Sequence, residues 1–296
     1  MKQKKLYDYD RGNRIFAALL TTPVVLYLIL IMLAPFVWAV YTSLTGTVNA
    51  RTAFIGFQKY AEVLKDPLFY RAALNTVVFT AGSVLGKVIF GILMALLLNE
   101  SFFGRTISRA MLILPWTIPT VISILTWKWL YSDVGGPLSY LAMNLKFTDK
   151  PVLWLSSGSI ALFSIIIVNI WRGTPFIGIS VLAGLQSIDG NLYESAVIDG
   201  ANVFHRFLYI TIPSIKDVIG MSTLVTTIWT LNDFEITWLL TRGGPASATE
   251  LISTYSYKVG FLSMDLSKAM AICIIILPLL VILVNLVTKR TLRDQA

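Results

Sequence analysis

Between Arg14 and Arg51 the chain carries no charged side chain at all. A bilayer core takes about 20 apolar residues per helix, and residues 16–40 supply such a segment. Five further runs follow it. Residues 72–99 are interrupted only by Lys87, residues 110–130 only by Lys128, and residues 151–188 only by Arg172. Residues 218–241 carry Asp233 and Glu235 in their latter half, and residues 269–288 carry no charge. The fold class expected is therefore an all-α membrane protein with six transmembrane helices.

Composition agrees with that reading. Hydrophobic residues make up 56% of the chain and charged residues 14%, against about 25% charged in a soluble domain. The net charge of +8 would suggest nucleic acid in a soluble protein. In a membrane protein, basic cytoplasmic loops explain it, so no nucleic-acid partner is expected. Cys273 is the one cysteine and His205 the one histidine. They allow no internal disulfide, no Cys/His metal cluster and no CxxC redox pair.

Six spans put both termini on one side. That side holds Lys2, Lys4, Lys5, Arg11 and Arg14 at the start, and Lys289, Arg290 and Arg293 at the end. Arg105, Arg109, Arg206 and Lys216 fall on the same side, which predicts cytoplasmic termini. The segments expected are a cytoplasmic tail over 1–14, a first helix and external loop over 15–71, and a five-helix core over 72–288. The core includes a cytoplasmic loop over 189–217, and a cytoplasmic tail over 289–296 follows it. The start is basic and then apolar, and Val48-Asn49-Ala50 loosely fits a signal cleavage site. The apolar run is too long for a signal peptide and reads as an uncleaved span. No internal repeat is evident.

The loop 189–217 is the most informative segment. Asp189 or Asn191 is placed to cap a short helix running to Asp199, and Gly200 suits the left-handed turn after it. Asn202 then caps a second short helix, and Pro213 is expected to end it. The result is a helix–turn–helix on the cytoplasmic face. Its apolar residues are too few to insert and too many to sit bare in water, so it reads as a docking element, covered by another protein or by the rest of this one.

Within it, Glu194-Ser195-Ala196, Asp199-Gly200-Ala201 and Ile210-Thr211-Ile212-Pro213 resemble the "EAA" loop of permease subunits of binding-protein-dependent ABC importers. Ser195 stands where that motif has Ala, and Ile212 where it has Leu. The resemblance extends to Asp66-Pro67, Asn75-Thr76, Leu114-Pro115-Trp116, Trp171 with Thr174-Pro175-Phe176, and Ala183-Gly184-Leu185-Gln186. Asn232-Asp233-Phe234, Thr241-Arg242-Gly243-Gly244-Pro245 and Thr249-Glu250 are similar to the carbohydrate branch, in particular the first permease of maltose-, glycerol-phosphate- and trehalose-type pairs. The resemblance implies a multi-pass subunit of a bacterial-type inner membrane. It also implies a second, homologous permease, two copies of an ATP-binding subunit, an external solute-binding protein and a sugar substrate. It implies no catalysis and no cofactor on this chain, with ATP and Mg held by the partner ATPase. The ATPase-coupling residues it implies are Glu194, Ser195, Ala196, Asp199, Gly200, Ala201, His205, Arg206 and Pro213. For His205 and Arg206 an ordinary solvated face is the competing reading.

Charges inside spans mark the candidate pathway. A charge at the bilayer centre costs at least about 2.5–3.5 kcal/mol, so Lys87 is expected to face protein or a wet cavity. The stretch from Gly82 to Lys87 imitates a phosphate loop but is one residue short and has Val88 in place of Ser or Thr. Gly82 and Gly86 read instead as a close helix approach. Trp171, Arg172, Trp229, Asn232, Asp233 and Glu235 combine planar polar groups with aromatic faces, the mixture that sugars require. An ion-pair network that only holds helices together is the competing reading. Trp129, Tyr131 and Trp154 are expected to anchor at the membrane surface. Two other functions are weighed against a permease: a polytopic membrane enzyme and a self-contained secondary transporter. The first would need clustered acids, histidines or a metal set at one interface. The second often shows paired halves or broken helices and has no need of the EAA loop.

Overall fold

The computed structural model describes residues 2–48 and 51–292. Asn49 and Ala50 of the cleavage-like triplet, and Arg293 of the basic tail, lie outside them. The elements run α1 (Lys2–Ser43), an antiparallel hairpin of β1 (Thr45–Val48) and β2 (Arg51–Phe54), α2 (Gln58–Leu64) and α3 (Pro67–Asn99). Then come α4 (Arg105–Thr117), α5 (Thr120–Leu130), α6 (Pro137–Asn144) and α7 (Gly158–Gln186). A short pair, α8 (Gly190–Ile198) and α9 (Val203–Arg206), follows, and α10 (Ile212–Leu231), α11 (Glu235–Leu240), α12 (Ile252–Tyr257) and α13 (Leu266–Leu292) complete the described residues.

Four helical stretches are long and apolar enough to cross a membrane: Phe16–Ser43, Pro67–Asn99, Gly158–Gln186 and Val203–Leu231. The bent pair α4–α5 makes a fifth if it is one span. The chain is thus a mainly helical membrane protein. α13 adds a shorter apolar segment, Leu266–Pro278.

Two apolar runs are not single helices. Residues 110–130 divide into α4 and α5, which meet at 93°. Proline restricts the residue before it to extended backbone, and Ile118, with ψ 132°, and Pro119, with ψ 131°, are both extended. Residues 218–241 break after Leu231. There the Asn232 amide donates to Ile228 O at 2.8 Å, and Asp233 Oδ1 accepts the Ile236 N–H at 3.2 Å. Short polar side chains of this kind compete with the helix ladder for backbone partners. The loop 189–217 differs in the opposite sense. Pro213 does not end the second short helix; it lies in the first turn of α10. A π-helical turn over Phe207–Thr211 joins α9 to α10, and that widening absorbs the clash of the proline ring with the preceding turn.

α3 and α7 form the spine. Asp66 caps α3 by accepting the Leu68 N–H at 3.0 Å, with Pro67 in the first turn. Gly82, Gly86 and Gly91 of α3 face Ile166, Ile170 and Ile177 of α7. A Cβ at Gly91 would lie 2.7 Å from Cβ of Ile177, so the glycines set the helix separation, and the imitation phosphate loop is a packing stripe. Two cores build on this spine. One gathers Phe79, Ile124, Ile165, Val168, Ile236 and Leu240. The other gathers Ala95, Leu112, Ile177, Val181, Leu185 and Ile215. A third cluster, with Val63, Ala72, Tyr255 and Ile272, ties α2 and α3 to α12 and α13. Tyr131 and Trp154 are not surface anchors: Tyr131 is 2% exposed, and its ring centroid lies 5.6 Å from that of Trp154. Trp129 is exposed.

Candidate functional site

Between the two main cores lies a cavity of about 260 Å³. Along α3, Phe79 belongs to one core and Ala95 to the other, and Lys87 falls between them. Along α7, Val168 and Ile177 are the corresponding core residues, with Asn169, Arg172 and Gly173 between. Trp116, Phe176, Thr226, Trp229, Thr230, Asp233 and Ile236 complete the lining. The cavity therefore opens midway along α3 and α7, where polar side chains replace apolar ones.

Lys87 is only 4% exposed, and its ammonium donates to Thr230 Oγ1 at 2.8 Å. Its methylene stem lies against Gly173, where a Cβ would meet Lys87 Cε at 2.4 Å. Thr230 in turn donates to Thr226 O at 2.6 Å, one turn earlier on α10. Asp233 Oδ2 accepts from Asn169 Nδ2 at 3.2 Å, while Oδ1 takes the Ile236 N–H. Arg172 donates through Nη2 to Thr120 Oγ1. Asn169 Oδ1 and Arg172 Nε are buried and have no partner among the described residues. The aromatic rings of the lining are contiguous. Phe176 lies 4.8 Å from Trp229 and 6.1 Å from Trp116, centroid to centroid.

The structure thus gathers Lys87, Arg172, Trp229 and Asp233 at one cavity and leaves three candidates outside it. Trp171 packs edge-on against Trp127 at 5.5 Å and lines a separate apolar cavity with Phe90, Met94 and Pro175. Asn232 is exposed and bonded to its own helix, and Glu235 is exposed in the first turn of α11, where a carboxylate suits the helix dipole. Asn169, Thr226 and Thr230 were not singled out by sequence. The legible signal was spacing: Asn169 precedes Arg172 by three residues, and Thr226 precedes Thr230 by four, so each pair shares a helix face.

The helix–turn–helix over 189–217 is well formed. Asp189 Oδ1 accepts the Asn191 N–H at 3.0 Å and caps α8. Gly200 ends the helix at φ +78°, with its own N–H on Val197 O and that of Ala201 on Ala196 O at 2.8 Å. Those two bonds form the Schellman pattern, which favours glycine at that position. Asn202 Oδ1 caps α9 by accepting the His205 N–H at 2.9 Å. The Tyr193 hydroxyl meets Thr211 Oγ1 at 3.0 Å and ties α8 to the base of α10. Glu194, Ser195, Asp199, Gly200, His205 and Pro213 are exposed, and Ala196, Ala201 and Arg206 are half-buried. Ile198 is 85% exposed, Val203 73% and Phe204 67%. Large apolar side chains bared together on one short element suggest an interaction face.

The family model described as "Binding-protein-dependent transport system inner membrane component" matches residues 87–293. The chain belongs to this family. It is a transport component, not an enzyme. Among similar proteins is the trehalose/maltose transport system permease protein MalF of Thermococcus litoralis, 36% identical over 276 residues, which cover 93% of this chain and 92% of that one. The sulfoquinovosyl glycerol transport system permease protein SmoG of Agrobacterium fabrum is 33% identical over 287 residues, 95% of this chain and 92% of that one. Among solved structures, a crystal structure of a bacterial ABC transporter involved in import of the acidic polysaccharide alginate superposes with a TM-score of 0.82 at 25% identity, over 98% of this chain and 99% of that one. A second crystal structure shows an alginate ABC transporter bound to an alginate-loaded periplasmic protein, and it matches with the same TM-score.

Proposed function

We propose that this permease forms, with a second homologous permease, the membrane pathway for a sugar or sugar derivative that an external binding protein delivers. Two copies of an ATP-binding subunit sit beneath the pair and hold ATP and Mg. Six spans place both termini in the cytoplasm, with α13 as the sixth and the bent α4–α5 pair as the third. The segments 1–14, 15–71, 72–288 and 289–296 then divide tail, first helix with its external hairpin, five-helix core and tail. The element over 189–217 docks in a groove of the ATPase through Glu194, Ser195, Ala196, Asp199, Gly200 and Ala201, flanked by His205, Arg206 and Pro213.

One observation carries the sugar reading: the central cavity sets Lys87, Arg172 and Asp233 beside the contiguous rings of Trp116, Phe176 and Trp229. Charged hydrogen-bonding groups meet hydroxyls, and ring faces meet the C–H face of a pyranose. The names of the relatives, trehalose/maltose and sulfoquinovosyl glycerol, support the same substrate class. Trp171, Asn232 and Glu235 shape the pathway from outside the cavity.

The test is purification of the complex by a tag on this chain, followed by ATPase assays with sugar-loaded binding protein. Co-purification of a second permease and an ATPase, with sugar-stimulated hydrolysis, is expected. Stimulation by amino acids or peptides and by no sugar would sink the substrate class.

A further inference from the structure

We propose that the solute carried past this cavity is an anionic sugar, one that bears a carboxylate, sulfonate or phosphate group. The inference rests on the sugar-importer reading and narrows it.

The charged groups lining the cavity are two cations, Lys87 and Arg172, and one carboxylate, Asp233. The hydrogen bonds sharpen that imbalance. Both oxygens of Asp233 are engaged by their own surroundings, one by the Ile236 N–H and the other by the Asn169 amide. The acid therefore serves as a helix cap and a clamp between α7 and α11. The cations are less fully employed. A lysine ammonium has three N–H donors and a guanidinium five. Lys87 donates to Thr230 Oγ1, and that hydroxyl is oriented by its own bond to Thr226 O. Arg172 donates to Thr120 Oγ1, and its buried Nε has no partner among the described residues. Thus the lining holds spare donors, one spare acceptor on Asn169, and one more positive than negative side chain, with Glu235 outside the lining yet near enough to act on Asp233.

A neutral sugar would offer acceptor oxygens but would leave that charge unbalanced in a low-dielectric setting, where an unpaired ion is costly. An oxyanion supplies both the acceptors and the charge, and charge-assisted bonds of this kind are the strong ones. Trp116, Phe176 and Trp229 then take the apolar face of the ring. Recognition is then shared between the charged donors and rings one helical turn away from them, since Arg172 and Phe176 are four residues apart on α7.

The test uses the complete importer, with its second permease, ATPase and binding protein, reconstituted in liposomes. The probes are maltose and trehalose as neutral sugars, against a glucuronate-bearing disaccharide, a sulfonated glucose and a glucose phosphate. Uptake of at least one acidic probe, with little of the neutral ones, is expected. Lys87→Gln and Arg172→Gln should each raise the half-saturating concentration roughly 10- to 100-fold, as loss of a charged hydrogen bond does. Arg172→Lys, which keeps the charge, should retain more uptake than Arg172→Gln. If a glutamine variant fails to assemble, the wild-type panel decides. Uptake of neutral sugars alone would overturn the inference and leave the sugar reading intact. Unchanged uptake of acidic probes by both assembled glutamine variants would show that the acid group is bound elsewhere, and would overturn it too. Transport of no sugar, neutral or acidic, would sink both readings.

Discussion

Individual residues near the ends of the spans carry much of the geometry. Gly243 has φ +81°, and a Cβ there would fall 2.3 Å from Glu250 Oε2. Glu250 is fully buried and pairs with Lys258. Gly243→Ala should therefore destabilise the chain by at least about 1–2 kcal/mol, the cost of a left-handed alanine, and should also displace a buried ion pair. A fall in the melting temperature of the purified complex checks it. Nearby, Asp66 accepts from Tyr255 at 2.6 Å and pairs with Lys268 at 2.9 Å. Burial pushes the Asp66 carboxyl up, but those donors and the Leu68 N–H outweigh it and hold it below its ordinary 3.8. A carboxylate depressed in the folded state stabilises fully above its unfolded value and loses that contribution as pH falls through the folded one. Asp66→Asn keeps the helix cap but not the charge. It should melt earlier than wild type near neutral pH and converge with it under acid conditions. A constant difference at all pH values would count against the pairing. Lys59 shows the opposite sign. Burial works against its charge, yet Asp265 and Glu62 raise it above 10.5, so its contribution fades only as pH climbs through that raised value.

At the scale of elements, the pair α8–α9 and the π turn behind it form one lever. Gly200 has open space around it but a positive φ, a conformation that proline cannot adopt. Gly200→Pro should break the turn, and Glu194→Lys should reverse a charge on the exposed face. Both should abolish binding-protein-stimulated ATP hydrolysis while the spans remain inserted, as read by co-purification of the ATPase. Tyr193→Phe removes only the bond to Thr211. It should leave the ATPase bound and reduce uptake per ATP hydrolysed. Unchanged coupling would make that bond a matter of stability alone. The caps of this lever were legible in the sequence because Asp189, Gly200 and Asn202 act on their own neighbours. The continuation through Pro213 was not, since proline inside a helical stretch reads as a stop until the π turn that accommodates it is seen. The kink at Ile118–Pro119 was hidden for a related reason: hydropathy measures the length of a run and not its direction.

For the whole molecule, the organising feature is a polar cavity placed where two apolar cores separate along α3 and α7. The charges that line it were legible because Lys87, Arg172 and Asp233 interrupt apolar runs, and burying a charge demands a partner or water. Which of the candidates converge was not legible. Trp171 and Arg172 are adjacent, but successive helix positions point about 100° apart, and only Arg172 meets the cavity. Asn232 was misplaced because the helix breaks there, so counting along an unbroken span put its side chain on the wrong surface. Trp229→Ala should reduce uptake at saturating binding protein, whereas Asp233→Asn, whose oxygens are held by Asn169 and the Ile236 N–H, should act first on the stability of the complex. Normal uptake by the assembled Trp229→Ala variant would shift the ring contact to the second permease.

The most direct measurement is uptake of labelled sugar into liposomes that contain this chain with its second permease, its ATPase and its external binding protein. Uptake should require all four proteins and internal ATP, and should cease with Gly200→Pro. Sugar uptake by liposomes containing this chain alone, without the ATPase, would contradict the central claim.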